Sequence, residues 1–91
     1  MTEPAPPSAD LATRMLAAYQ SGDMTSVLAL GEPAMRAGQT DDTVLLLLGA
    51  ALQSQRRLDD ALAAFRLLVE RQPAVAEYWN NLAVVARQLG G

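Results

Sequence analysis

Cysteine, histidine, lysine and isoleucine are all missing from these 91 residues. Without cysteine there is no disulfide, no thiolate nucleophile and no thiolate metal site. Without histidine the commonest general base and metal ligand is gone as well. All seven cations are Arg, set against ten carboxylates for a net charge of −3, and no basic stripe runs along the chain. Such a surface cannot displace the counterions of a phosphate backbone, which excludes nucleic acid as a partner. One Trp, two Tyr and one Phe are the whole aromatic complement. A composition so rich in Leu and Ala suits packed helices rather than a β-sandwich.

Long apolar runs are lacking too. The longest, VLLLLGAAL from Val44 to Leu52, falls well short of the ~20 residues that span a bilayer, so no membrane partner is expected. It reads instead as a helix buried on several sides. The opening MTEPAPPSAD has neither a cationic stretch nor an apolar one, so no secretory signal is expected in it. Residues 1–7, rich in Pro, read as a disordered leader, and residues 8–91 as one domain. A soluble, cytoplasmic protein is the expectation.

What is present is a repeat. Shifted by 34 residues, Leu11 meets Leu45, which meets Trp79; Leu48 meets Leu82, and Gly49 meets Ala83. Ala18, Leu52 and Ala86 align, as do Leu28 with Leu62 and Met35 with Val69. Gly22, Arg56 and Gly90 share the same register at loop positions. Apolar positions agree while charged ones drift, as a repeated packing requirement demands. The units are 8–41, 42–75 and a half unit 76–91, which predicts five helices. In the middle unit Asp41 or Asp42 caps a helix running to Gln55, and SQRRL is the turn. Leu58, Ala61, Leu62, Phe65, Leu68 and Val69 then form one stripe at helical spacing, and Pro73 stops that helix.

This pattern resembles the tetratricopeptide repeat. That family's order is a large apolar residue, Leu-Gly, a bulky residue, Ala, an aromatic and a closing Pro. Here these are Leu45, Leu48, Gly49, Leu52, Ala61, Phe65 and Pro73. Unit three supplies Trp79, Leu82 and Ala83, then Ala86 where a larger residue is usual; the SGD turn at Ser21 to Asp23 looks like the family's inter-helix turn. The resemblance implies an all-α superhelix of antiparallel helix pairs, a solenoid whose first helices line a concave groove for a peptide or partner helix. Carried over position by position, the groove takes Leu16 and Tyr19 from unit one, and Leu46, Leu47, Ala50 and Gln53 from unit two. Unit three adds Asn80, Asn81, Val84 and Arg87. Leu46, Leu47 and Ala50 make its apolar floor, the Asn pair suits a peptide backbone, and Arg87 suits a carboxylate. A helix apolar on nearly every side wants cover on every side, so a ligand or second subunit over Leu46 and Leu47 is expected. The carboxylate clamp by which some family members hold chaperone tails is not implied, since Ala12, Leu16 and Leu47 stand at the matching sites.

Unit one departs most. Arg14 and Met15 stand where the family has Leu and Gly, and Gly31 where it has the aromatic. Pro33 within the second helix removes a backbone hydrogen bond at a cost of roughly 3 kcal/mol, so a kink or break is expected between Ala29 and Pro33. That reads either as a degenerate end repeat or as a hinge.

Catalysis finds no support. Asp41/Asp42 and Asp59/Asp60 are adjacent pairs, and neighbours on a helix point ~100° apart, so neither pair converges. The serines have no basic partner, and there is no Gly-rich phosphate loop. No cofactor or metal is expected. What remains is a non-catalytic protein–protein interaction module, a scaffold. The alternatives are an N-terminal docking domain of a larger bacterial enzyme such as a transferase, and a small secretion chaperone. In a complete repeat the last helix packs on a second one. Trp79, Leu82, Val85 and Ala86 are therefore expected to be covered either by further chain beyond Gly91 or by a second copy in a homodimer.

Overall fold

Asp41 opens the central helix by a local rule. Its side chain accepts the Val44 N–H at 2.9 Å, and the helix it caps ends at Ser54. The computed structural model describes residues 7–90. Among these there are five helices and no strand: α1 (Pro7–Gln20), α2 (Met24–Arg36), α3 (Asp42–Ser54), α4 (Leu58–Arg71) and α5 (Ala76–Gly90). The all-α class and the helix count agree with the sequence pattern. α1 opens on Pro7, the last residue assigned to the leader, because a fixed φ suits a first helical turn. The rest of the leader lies outside the described residues.

Two of the helix ends repeat bond for bond. After α1, Asp23 N–H donates to Ala18 O at 2.9 Å and Gly22 N–H to Tyr19 O at 3.0 Å. After α3, Arg57 N–H donates to Leu52 O at 2.9 Å and Arg56 N–H to Gln53 O at 3.0 Å, every partner displaced by 34 residues. The turn needs a left-handed residue, supplied by Gly22 at φ 80° and by Arg56 at φ 63°. A β-carbon in that conformation costs roughly 1 kcal/mol, partly offset by the entropy that a glycine adds to the unfolded chain. Arg56→Gly is therefore expected to stabilise the fold by about 0.5 kcal/mol, read as a small rise in thermal midpoint.

Asp23 caps α2, accepting the Ser26 N–H at 3.1 Å and the Ser26 hydroxyl at 2.5 Å. The Ser26 hydroxyl, and then its N–H, hold this carboxyl below the ordinary aspartate value of 3.8. Its contribution is complete above the unfolded-state value and is lost as pH falls through the lowered folded one. Thermal midpoints of wild type and Asp23→Ala should accordingly differ at neutral pH and converge on strong acidification.

Of the kink or break expected between Ala29 and Pro33, the break does not occur, since α2 runs continuously to Arg36. Ala29, whose carbonyl loses its donor, and Pro33 itself are both on the exposed side, where water replaces the missing partner.

Successive helices pack on one another, and α1 also lies against α3, so α3 meets α1, α2 and α4. It contributes Val44, Leu45, Leu47, Leu48, Ala51 and Leu52 to the core, joined by Met15, Val27, Phe65, Leu68 and Val85. Of the two leucines expected to need an external cover, Leu47 is covered by the chain's own helices, while Leu46 is half-buried. Two close approaches set the packing. A β-carbon on Gly49 would stand 2.5 Å from the Phe65 ring, and one on Gly31 would stand 2.8 Å from Met15 Cε. On the surface, Arg57 ties α2 to α4 by pairing with Glu32 and with Asp60, the latter at 2.8 Å. Arg71 of α4 donates to the Thr40 carbonyl at 2.7 Å and so holds the loop before α3.

Candidate functional site

Residues three and four apart on a helix share a side. Leu16 and Tyr19 on α1, Leu46, Ala50 and Gln53 on α3, and Asn80, Val84 and Arg87 on α5 form such sets. α1 packs beside α3, and the Gln53 side-chain amide donates to the Gln88 side-chain carbonyl at 3.1 Å, joining α3 to α5. Leu16 is 42% exposed and Tyr19 36%. Leu46, Ala50, Gln53, Asn81 and Val84 are half-buried, while Asn80 and Arg87 are exposed. Leu47 does not belong with them: only 8% of it is exposed, and it is part of the core. It follows Leu46 by one residue, so its side chain turns ~100° away and inward.

Three of the four paired carboxylates have structural partners. Asp41 caps α3, Asp42 lies 4.0 Å from Arg71, and Asp60 holds Arg57. Asp60 and then Glu32 raise the Arg57 pKa above its ordinary value, so the guanidinium stays charged. A cleft of about 350 Å³ opens between α2 and α4, bounded by Glu32, Met35, Arg36, Arg57, Asp60 and Ala63 over Leu48 and Leu52. None of the residues assigned to the groove lines it.

A second face lies on α5. Trp79 is 48% exposed, Ala83 and Ala86 are exposed and Leu82 is half-buried. Val85, assigned to this face from the sequence, is fully buried in the core. α5 packs on α4, and the side that faces α4 is the one carrying Val85. In its place the face gains Leu89, 40% exposed, which the sequence reading missed. The signal was present: Trp79, Leu82, Ala86 and Leu89 follow helical spacing to the end of α5. The indole N–H of Trp79 donates to the Pro73 carbonyl at 2.8 Å, which pins the ring beside the α4–α5 loop. Comparison of the chain with protein-family models, with curated proteins and with solved structures returns no match.

Proposed function

We propose that this protein is a non-catalytic interaction module of the tetratricopeptide type, whose odd-numbered helices form a concave surface that binds a protein segment. The observation that carries this reading is the pair of exposed large apolar side chains, Leu16 and Tyr19, one turn apart on α1. Exposed apolar surface of this kind suits an interaction site, and the exposed Asn80 and Arg87 of α5 would supply polar contacts for a peptide backbone and a carboxylate. The recurring turn and the 34-residue apolar register support a solenoid of repeats.

Peptides selected from a random displayed library test the reading. They are expected to shift the amide resonances of residues on the α1, α3 and α5 sides, and Leu16→Glu should weaken them at least tenfold, as a charge in an apolar contact does. Leu16 is exposed, so this variant leaves the core intact. Resonance changes confined to the α2/α4 cleft, or equal binding by the variant, would overturn it.

A further inference from the structure

We infer that the cleft between α2 and α4 binds a small apolar zwitterion, a free α-amino acid with a large aliphatic or aromatic side chain. Both helices pack on α3, and the cleft lies between them over Leu48 and Leu52, one turn apart on α3. Met35 stands on the α2 wall, and Ala63, with nothing beyond its β-carbon, leaves the α4 wall open. At about 350 Å³ the space falls at the lower end of the ~300–1,000 Å³ of small-molecule sites, room for roughly a dozen heavy atoms. Its lining comes from α2, α3 and α4 with the turn before α4, so the site stands apart from the Leu16 and Tyr19 surface of α1.

The rim selects the charge of the occupant. Arg57 donates to Asp60 Oδ2 from Nε at 3.1 Å and from Nη2 at 2.8 Å, and to Glu32 Oε1 from Nη1. Two carboxylates thus share one guanidinium, which leaves a negative charge in excess. Arg57 uses one oxygen of each, so Glu32 Oε2 and Asp60 Oδ1 remain as acceptors for a further donor. Arg36 supplies the opposite excess. It follows Glu32 by four residues on the same side of α2, and among the described residues its guanidinium forms no ion pair or hydrogen bond. Glu32 and Arg36 are about 6 Å apart along the helix axis. An ammonium and a carboxylate on one α-carbon span that distance once each adds a hydrogen bond of ~2.8 Å. A simple cation meets Arg36 as a like charge, and a simple anion meets Glu32 and Asp60. An α-amino acid satisfies the whole rim, its ammonium on the two carboxylates and its carboxylate on Arg36. Its side chain then lies between Met35 and Ala63 over the leucines. A dozen or so atoms held in this way imply a dissociation constant on the order of 0.1–1 mM.

Titration of the isotope-labelled protein with L-phenylalanine to ~10 mM tests this. Saturable shifts are expected in the amide resonances from Glu32 to Arg36 and from Arg57 to Ala63, with those of α1 and α5 unmoved. Three probes separate the parts of the ligand. Phenethylamine lacks the carboxylate, N-acetyl-L-phenylalanine lacks the ammonium and glycine lacks the side chain; each should bind about fivefold more weakly or worse. Arg36→Gln should weaken phenylalanine by about fivefold while phenethylamine binds no more weakly than before. Arg36 is exposed, so this variant keeps its fold. Arg66→Gln, an exposed cation of α4 outside the lining, is the control with no change expected. No saturable shift by ~10 mM, equal binding of phenethylamine and phenylalanine to the wild type, or an unaffected Arg36→Gln would each overturn the proposal. Leu16→Glu leaves these readouts unchanged and Arg36→Gln leaves the displayed peptides bound, so the two readings fail separately.

Discussion

Gly49→Val is expected to be among the most damaging single changes in this chain, costing about 3 kcal/mol in a urea titration. A helical glycine normally gains close to 1 kcal/mol on replacement by alanine, so the sign here is decided by packing. The first atom added at residue 49 meets Cε1 of Phe65 at 2.5 Å, Cζ at 2.8 Å and Cδ1 at 3.0 Å, all in one rigid ring. Phe65 is 1% exposed and cannot swing outward without opening the contact between α3 and α4. At about 0.05–0.15 kcal/mol per residue a domain of this size holds roughly 5–14 kcal/mol, so the loss is a large share of the total. The mechanism makes a further demand. Phe65→Leu alone should cost about 1–2 kcal/mol through lost volume, yet in the Gly49→Ala background it should recover stability, because the shorter side chain yields the space. A double-mutant cycle with a favourable coupling of about 1 kcal/mol fits this account; strict additivity would sink it.

How much of this was legible beforehand depends on what kind of interaction decides each feature. Helix caps, turns and stripes are local, and Asp41, the turn at Arg56 and the apolar side of α4 could be read directly. Pro33 did not break α2, because the cost of a proline depends on whether the orphaned carbonyl finds water, and exposure is a tertiary property. Leu47 and Val85 misled for a related reason. Each belongs to a helix with apolar residues on more than one side, and only the position of the neighbouring helix tells inward from outward. The ties from Arg57 to Glu32 and from Arg71 to Thr40 join residues far apart in the chain, and no spacing rule pairs them.

Unit one looked degenerate because Met15 and Gly31 stand where unit two has Gly49 and Phe65, and the contacts give those departures a single cause. Added to 34, residue 15 becomes 49 and residue 31 becomes 65, so the large and small partners have changed places between the helices. In unit two the ring from α4 fills the gap over a glycine of α3; in unit one the methionine from α1 fills the gap over a glycine of α2. Gly31→Phe, which restores the aromatic, should therefore cost about 3 kcal/mol, since an added β-carbon already meets Met15 Cε at 2.8 Å and Leu48 Cδ1 at 3.0 Å. Met15→Gly should cost about as much or more, by leaving a cavity and a helical glycine. Gly31→Ala is expected to be nearly neutral, because the end of a flexible methionine gives way where a ring does not. The double exchange Met15→Gly/Gly31→Phe rebuilds the arrangement of unit two and should regain most of what either change loses. Thermal midpoints of the four proteins decide the matter. Recovery in the double variant means that both units obey one packing scheme with its partners reversed; a double variant as unstable as the sum of its parts confines the 34-residue correspondence to the turns.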